Sequence, residues 1–467
     1  MYLDADKKDQ QALAAIDSHG VHISYGDLTR FSERMGTLPL YRSVVFCMCE
    51  NDVGALAGYY SFVENKAVPL LLPRNMEQEL LSELVRVYRP AYVWCHSQCR
   101  EKFDGECVFE GFGYSLVRTS YELYPVCDEL SILMTTSGST GSPKLVRHSY
   151  KNISSSPRNV AAFFEISAED RAMADLPMHY TMGLSVICSH LYAGATVLLT
   201  PFSLMDPRYW DFFKEHCPTT FTGVPYSFEV LRKLRFTRSG WPRVKTLSQG
   251  GGKLSEETYL EFANYAHKTG KRFISTYGMT ECTARMAYLP WEFAHKKVGS
   301  IGRAIPEGEL FLVDDDCAEI AEAEADGEVG YRGPNVALGY AQCREDLEKG
   351  DEWQGEILTG DMARRDADGF YFVTGRKSRF LKLFGYRVSL EQCEKLVANA
   401  FGIECACVGS DERMVVYITD AGCAGQVPSF LSGRTGIHHT AFEVRAIDSL
   451  PRNEAGKIQY QLLNGFL

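Results

Sequence analysis

The sequence predicts an α/β protein with a large N-terminal domain of layered α/β subdomains, residues 1–375, and a small α+β C-terminal domain, residues 376–467. The chain of 467 residues is long enough for two or three domains with substantial cores. Up to about residue 375, short apolar runs alternate with amphipathic stretches, a pattern typical of a mainly parallel sheet covered by helices. After Gly375 the order changes to a short strand, a helix beginning at Leu390 and further strands.

The first 130 residues carry this alternation most clearly and are interpreted as scaffold. Four consecutive segments show it: HISYGDLTRFSERM, SVVFCMC, DVGALAGYYSFVENKAVPLLL and MEQELLSELVRVYRPAYVWC. We assign no catalytic residue here. Between Ser131 and Gly375 the loops that follow strands carry the chemically informative residues, as expected for open α/β sheets, which bind ligands at the carboxyl ends of their strands.

One of these loops is TTSGSTGSPK, from Thr135 to Lys144, directly after an apolar run that predicts a buried strand, Leu130 to Met134. A turn rich in Gly, Ser and Thr exposes backbone N–H groups and hydroxyls, which suit a polyphosphate, and the lysine adds positive charge. It is not a Walker A loop, because Pro143 and Leu145 flank the lysine where that pattern needs Gly and Ser or Thr. Considered alone, such a run predicts a flexible polar turn equally well.

The loop resembles the phosphate-binding signature of the AMP-forming (adenylating) synthetases, the superfamily of acyl-CoA and aryl-CoA ligases, nonribosomal adenylation domains and luciferases. Eight further segments resemble that family's motifs, in the family's order, and together with the loop they extend over nearly the whole chain. They are PMHYTMG from Pro177, GVP from Gly223, GGGKL from Gly250, YGMTE from Tyr277, GPNVALGY from Gly333, TGD from Thr359, GRKSRFLKLFGYRV from Gly375 and LPRNEAGKI from Leu450.

The resemblance implies activation of a carboxylic acid with ATP to an acyl-AMP and pyrophosphate, followed by transfer to a pantetheine thiol. Because two anions must meet, cations and N–H donors have to offset several charges. The resemblance assigns the phosphates to the loop, Mg²⁺ to Glu281 and Thr140, and catalysis to Lys457, Glu281 and His179. The residues it assigns to binding of ATP are Thr136, Ser137, Gly138, Ser139, Thr140, Gly141, Lys144, Gly250, Gly251, Gly252, Tyr277, Gly278, Thr280, Asp361 and Arg376.

The resemblance also gives positions for individual residues. Tyr277 and the three glycines, Gly250 to Gly252, are expected beside the adenine. Asp361 and Arg376 are expected at the ribose, and Lys457 at the bridging oxygen between the α-phosphate and the carboxylate. The C-terminal domain is expected to be mobile, because in this family it turns between the two half-reactions. The chain departs from the family pattern at the hinge, where Ser378 replaces Asp or Lys, at Leu145, which replaces a glycine after the loop lysine, and at Lys253, which replaces a proline of the acyl pocket.

The substrate expectation depends on a missing carboxylate. Members that activate amino acids usually carry an Asp near the position of Thr181, but Met178 to Gly194 contains no Asp or Glu, so an α-ammonium would lack a counter-charge. His179 and Tyr180 resemble the PxxHxxG form of acyl- and aryl-CoA ligases instead. We therefore expect an alkyl or aromatic carboxylic acid, with CoA or the phosphopantetheine of an acyl carrier protein as acceptor and the carrier protein slightly favoured. Two alternatives stay open: a stand-alone amino-acid (D-alanine type) carrier-protein ligase and an inactive ATP-binding regulatory relic.

Composition excludes several other classes. The net charge of −11 argues against a nucleic-acid partner. The apolar runs are too short for a membrane span and the N-terminus is polar, so we expect a cytoplasmic protein without a signal peptide or a membrane span. The 15 cysteines lack a repeated metal-ligand spacing, and reduced core thiols are expected rather than disulfide bridges or a zinc site.

Overall fold

The computed structural model describes residues 2–135, 144–384, 386–410, 413–452 and 458–464. The predicted α/β class is confirmed, since mainly parallel sheets alternate with helices through most of the chain. The chain divides into two compact units, the first formed by Met1–Leu310 with Gly330–Ile357 and the second by Phe311–Val329 with Leu358–Leu467. The sequence-predicted domain boundary between residues 375 and 376 stays a prediction.

Most helices begin with the caps expected from sequence. Ser24 and Ser149 each form a capping box with the residue three positions later, Asp27 and Asn152. In chain order, the α-helices of the described residues are α1 (Tyr25–Met35), α2 (Val53–Glu64), α3 (Gln78–Tyr88), α4 (Tyr150–Phe164), α5 (Thr181–Ala193), α6 (Pro207–His216), α7 (Pro225–Lys233), α8 (Glu256–Thr269), α9 (Leu390–Phe401), α10 (Val427–Thr435) and α11 (Tyr460–Asn464).

The strands are short and their interiors are mostly apolar. In chain order they are β1 (Leu13–Asp17), β2 (His22–Ser24), β3 (Val44–Cys49), β4 (Val68–Pro73), β5 (Tyr92–His96), β6 (Glu106–Gly111), β7 (Tyr114–Arg118), β8 (Leu130–Thr135), β9 (Leu145–Ser149), β10 (Arg171–Ala174), β11 (Thr196–Leu199), β12 (Thr220–Gly223), β13 (Thr246–Gln249), β14 (Arg272–Tyr277), β15 (Ala287–Leu289), β16 (Arg303–Ala304), β17 (Glu309–Val313), β18 (Ala325–Arg332), β19 (Gly339–Ala341), β20 (Glu356–Arg365), β21 (Tyr371–Arg376), β22 (Phe380–Leu383), β23 (Tyr386–Ser389), β24 (Cys405–Ser410), β25 (Arg413–Ile418) and β26 (Phe442–Ala446).

The first unit contains two large sheets. One has the strand order β16-β15-β14-β13-β12-β10-β11-β1-β2, and β14, β13, β12, β10, β11 and β1 run parallel to their neighbours within it. The other has the order β19-β9-β8-β4-β3-β5-β7-β6. Helices α1, α2 and α5 contribute to one apolar core shared by the two sheets, in which Leu56 and Ile187 are fully buried. This layering places the carboxyl ends of β12, β13 and β14 side by side.

The second unit is built from smaller sheets. Strands β17-β18-β20-β21 form a four-stranded sheet, β22 and β23 form a hairpin, and β24-β25-β26 form a three-stranded sheet. Helices α9 and α10 cover the last sheet, and their core includes Cys393, Val397, Val416 and Leu431. The helix predicted from Leu390 is α9, which extends to Phe401.

The structure also bears on the expectations for membrane-spanning helices and for the cysteines. No helix in the described part of the chain is both long and apolar enough to cross a membrane. The 15 cysteines, all of which lie in described segments, are free thiols, and Cys217 and Cys317 are exposed rather than in a core.

Candidate functional site

The centre of the candidate site is a contact chain from Lys144 through Tyr340 to Glu281, all in the first unit. Lys144 Nζ lies 3.4 Å from the centroid of the Tyr340 ring, a cation–π contact. The Tyr340 hydroxyl donates a 2.7 Å hydrogen bond to Glu281 Oε1. Burial, followed by this hydrogen bond, raises the pKa of Tyr340, so the hydroxyl stays a donor at neutral pH. A cation and a carboxylate are thereby held at opposite sides of one aromatic side chain.

The position of Tyr340 is fixed by Arg147, a fully buried residue of β9. Its guanidinium donates to the backbone oxygens of Tyr340, at 3.0 Å, and of Lys349, and it forms an ion pair with the Glu352 carboxylate. Strand β19 also pairs antiparallel with β9, with Tyr340 opposite Val146. A segment nearly two hundred residues away in sequence is therefore anchored next to the end of the predicted phosphate loop.

Glu281 lies in a tight turn after β14, and its side chain is buried. The turn requires glycine at position 278, because a Cβ there would lie 1.8 Å from the Ala284 backbone oxygen. The Ala337 amide donates to the Glu281 backbone oxygen at 2.9 Å. Thr280 Oγ1 lies 3.4 Å from Thr181 Oγ1, at the start of α5. These contacts bring together three of the segments in which the family motifs were identified.

The triple glycine follows β13 at the carboxyl edge of the large sheet. Gly250 N donates to the Gly223 backbone oxygen at 3.2 Å, and Thr276 Oγ1 donates to the Gln249 backbone oxygen at 3.1 Å. A Cβ on Gly250 would lie 2.6 Å from Thr276 Oγ1, so the glycine permits close approach of the two strand ends. Tyr277 ends the neighbouring strand β14.

His179 lies just before α5 and is half-buried, with its ring 4.7 Å from that of Tyr180. Desolvation lowers the pKa of His179 to about 4. The imidazole is therefore neutral at physiological pH and suits an uncharged contact or gate rather than a cationic phosphate ligand.

The predicted ribose-binding pair lies in the second unit. Asp361 in β20 and Arg376 in β21 are directly opposite each other in the antiparallel ladder, and Arg376 Nε lies 2.6 Å from Asp361 Oδ1. Asp361 is buried while Arg376 is about half exposed. Thr359 Oγ1 accepts from the Asp361 amide at 3.0 Å, which fixes the TGD turn.

Several sequence-predicted residues lie outside the described residues. They are the loop residues Thr136, Ser137, Gly138, Ser139, Thr140 and Gly141, and the C-terminal Lys457. The roles assigned to them, and to His179, Tyr277, the glycines, Asp361 and Arg376, stay predictions. Among the described residues no cluster of three His, Cys, Asp or Glu side chains is suited to a metal ion.

Sequence reasoning missed two side chains of this region. Tyr340 was part of a recognised motif but was assigned no role, because its contacts with Lys144 and Glu281 depend on tertiary structure. Arg285 was not considered, although it is a lone charge in the otherwise small and apolar run CTARMA that follows Glu281. Its guanidinium is buried, and burial lowers its pKa to about 9.

Comparison with known proteins shows which family the sequence matches. A family model described as AMP-binding enzyme matches residues 4–341. The chain is 31% identical over 343 residues to an indoleacetate–CoA ligase of Aromatoleum aromaticum, covering 70% of this chain and 65% of that protein. It is 29% identical over 350 residues to a 3-hydroxybenzoate–CoA ligase of an Aromatoleum species, covering 71% and 65%. The chain thus matches less than two thirds of the length of these two relatives.

Solved structures agree on the fold over the whole chain. The o-succinylbenzoate coenzyme A synthetase of Bacillus subtilis, in complex with ATP and magnesium ion, superposes with a TM-score of 0.78 at 19% identity. The superposition covers 99% of this chain and 98% of that one.

Proposed function

Because this chain belongs to the AMP-binding enzyme family, we propose that it is an AMP-forming carboxylic acid–thiol ligase. It activates an acid with ATP to an acyl-AMP, releases pyrophosphate, and transfers the acyl group to CoA or to the phosphopantetheine of an acyl carrier protein. The Lys144–Tyr340–Glu281 contact chain carries the proposal, since it connects the lysine that ends the TSGSTGSPK loop with the Glu281 carboxylate through one aromatic side chain. The names of the two relatives, both CoA ligases, favour CoA as the acceptor.

The proposed roles at the phosphates and at Mg²⁺ follow from the charges of the side chains. Lys144 and the loop from Thr136 to Gly141 offset the phosphate charges, and preorganised donors of this kind are worth more in a dry site than in water. Glu281, with Thr140, would hold Mg²⁺, which favours a carboxylate combined with phosphate oxygens. When bound, the ion supplies positive charge where the pyrophosphate leaves. Glu281 is suited to hold Mg²⁺, because the hydrogen bond from Tyr340 orients its buried carboxylate.

The remaining proposed roles concern the adenine, the ribose, the acid and the bridging oxygen. Tyr277, Gly278 and Gly250 to Gly252 contact the adenine, while Thr280 lies beside the phosphates. Asp361 accepts from the ribose hydroxyls, with Arg376 assisting. His179 remains neutral and lies at the acid pocket, where it excludes water from the reacting carboxylate. Lys457 stabilises charge at the bridging oxygen. We place the enzyme in the cytoplasm, with a small carboxylic acid as its substrate.

ATP–pyrophosphate exchange with a panel of acids tests the proposal. Alkyl, aromatic and bifunctional acids are each tested beside α-amino acids, D-alanine included, with Glu281→Gln as the inactive control. We expect exchange with carboxylic acids that lack an α-ammonium group. Exchange with amino acids alone would favour the carrier-protein amino-acid ligase. Exchange with no member of the panel, together with tight ATP binding, would favour the regulatory relic.

A further inference from the structure

Arg285, in the turn between β14 and β15, is a buried cation that forms no ion pair with the residues the structure describes. Its side chain is 1% exposed. Within the described part of the chain, none of its three guanidinium nitrogens has a hydrogen-bond partner. Its Cζ lies over the Phe164 ring, 4.8 Å from the ring centroid. An unpaired charge in such surroundings is strongly disfavoured, so the site is electrostatically incomplete.

The guanidinium borders a small cavity that lacks any carboxylate. Hydroxyl groups from two neighbouring strands line it, Thr220 and Thr222 from β12 and Thr246 and Ser248 from β13. The Ser248 hydroxyl, like Arg285, has no partner among the residues that the structure describes. The room in the cavity is ≈10 Å³, about that of one water molecule or the terminal oxygen of a ligand. The Thr220 hydroxyl is hydrogen-bonded to His190 Nε2, which also lines the cavity, at 2.9 Å. Arg285 and Ser248 are therefore the donors left to bind an anionic oxygen in this space.

The cavity lies next to the proposed acid pocket. Thr222 directly precedes Gly223, and Ser248 directly precedes Gln249 and the triple glycine, the two segments expected to form the walls of that pocket. Arg285 follows Glu281 by four residues in the same turn region. The unpaired cation therefore lies beside two strands, β12 and β13, whose next residues form the expected walls of the acid pocket.

We propose that this cavity is an anion subsite, in which Arg285 and Ser248 bind one oxygen of a second carboxylate group of the substrate. The substrate class is then a bifunctional acid, one end of which is adenylated while the other end neutralises Arg285. This inference rests on the proposed ligase function. It narrows the sequence-based expectation of an alkyl or aromatic carboxylic acid to acids with two acidic groups. A free inorganic anion such as chloride has the same chemistry, and the test separates the two sources.

The first arm compares acids of equal length with and without a second acidic group, such as glutarate with pentanoate and terephthalate with benzoate, in pyrophosphate exchange. The variants are Arg285→Met, which keeps the volume and removes the charge, and Arg158→Met as a control at an exposed arginine. We expect the wild type to prefer the diacids. Arg285→Met should lower kcat/KM for the diacids by roughly 10²-fold or more, the scale for leaving one polar partner unpaired, while monoacids react equally well or better.

The second arm reads binding without turnover. Melting temperature is measured with increasing glutarate, chloride or gluconate, in the wild type and in Arg285→Met. Stabilisation by glutarate that disappears in the variant supports the substrate as the source of the anion. Stabilisation by chloride alone, also dependent on Arg285, supports the subsite with a free anion as its occupant. Diacid activity and melting curves that are unaffected by Arg285→Met would overturn the inference.

The two arms also distinguish failure of the subsite from failure of the ligase function. If no acid supports exchange in the wild type, the proposed function fails, but the melting arm still reports whether Arg285 binds anions. If acids react without regard to Arg285, the ligase function stands and the subsite does not. A melting temperature of Arg285→Met at or above that of the wild type, without ligand, shows that the variant is folded.

Discussion

The Tyr340 hydroxyl donates a 2.7 Å hydrogen bond to Glu281 Oε1, joining a strand of the second large sheet to the turn after β14. The same ring faces Lys144, so its two contacts can be separated by mutation. Tyr340→Phe keeps the ring and removes the hydrogen bond, whereas Tyr340→Leu removes both.

For Tyr340→Phe we expect a fall in kcat/KM of about 10-fold or more, because a hydrogen bond to a charged acceptor is worth about 1.5–3 kcal/mol. The Mg²⁺ concentration needed for half-maximal activity should rise, since Glu281 loses its orienting donor. Tyr340→Leu should lower kcat/KM further, because it removes both contacts of the tyrosine. Pyrophosphate exchange titrated with Mg²⁺ measures both effects, and Tyr41→Phe, at an exposed tyrosine, is the control. An unchanged Mg²⁺ dependence in Tyr340→Phe would separate Tyr340 from the metal site.

Arg147 provides a stability prediction. Arg147→Met removes a buried guanidinium and leaves the partly buried backbone oxygens of Tyr340 and Lys349 without these donors. Each unsatisfied buried group costs about 1–3 kcal/mol, so we expect the melting temperature to fall by several degrees. Arg208→Ala, which removes an exposed ion pair with Asp206, should change it little. A variant as stable as the wild type would show that β19 is held by its backbone ladder alone.

The free energy of unfolding should vary with pH because two histidines are buried. His148 is fully buried, neither ring nitrogen has a partner among the described residues, and desolvation lowers its pKa to about 3. Because the unfolded chain protonates this residue near pH 6.5, the folded state loses stability as the pH falls from about 6.5 toward 3. Burial also lowers the pKa of His190, to about 4, so His190 likewise makes the folded state less stable as the pH falls.

His148→Leu should therefore remove about 2 kcal/mol of the stability difference between pH 7.5 and pH 5. Urea unfolding at the two pH values measures this difference. His439→Leu, at an exposed histidine, should leave it unchanged. Equal acid sensitivity in wild type and His148→Leu would assign the effect to other groups.

Sequence predicted the local features of this protein better than its long-range contacts. The buried strand before the phosphate loop and the helix from Leu390 were recognisable because apolar runs and helical periodicity are local signals. The pairing of Tyr340 with Glu281 joins residues 59 apart, and that of Arg147 with Glu352 joins residues 205 apart. No periodicity encodes such pairings. Arg285 required the structure as well, because only burial reveals that its charge is unmatched.

Lys457→Ala tests the residue assigned to the bridging oxygen, which lies outside the described residues. We expect adenylation to slow by roughly 10²-fold or more, the scale for removing one preorganised charge-stabilising donor. ATP affinity should change little, because Lys144 and Asp361 remain. Pre-steady-state pyrophosphate release measures the first quantity and nucleotide titration the second. Near-normal exchange in Lys457→Ala would mean that another cation has this role.

The proposed hinge at Ser378 lies between two anchored neighbours within the second unit. Lys377 Nζ lies 2.6 Å from Glu328 Oε2, in the four-stranded sheet. Arg379 forms an ion pair with Glu394 of α9 at 2.5 Å and donates to the Cys407 backbone oxygen at 3.1 Å. A rotation at Ser378 therefore leaves the contacts on each side intact, which is what a hinge requires.

Ser378→Pro should consequently affect the two half-reactions differently. Proline fixes φ near −65° and restricts the preceding residue, so it opposes the turn of the C-terminal domain before the thiol enters. We expect pyrophosphate exchange to be spared or mildly reduced and thioester formation to fall much more, while Ser378→Ala retains both. Mass spectrometry of the thioester, with CoA and a phosphopantetheinylated carrier protein at equal concentration, measures the second step and identifies the acceptor. Equal losses in both half-reactions would place the movement elsewhere in the chain.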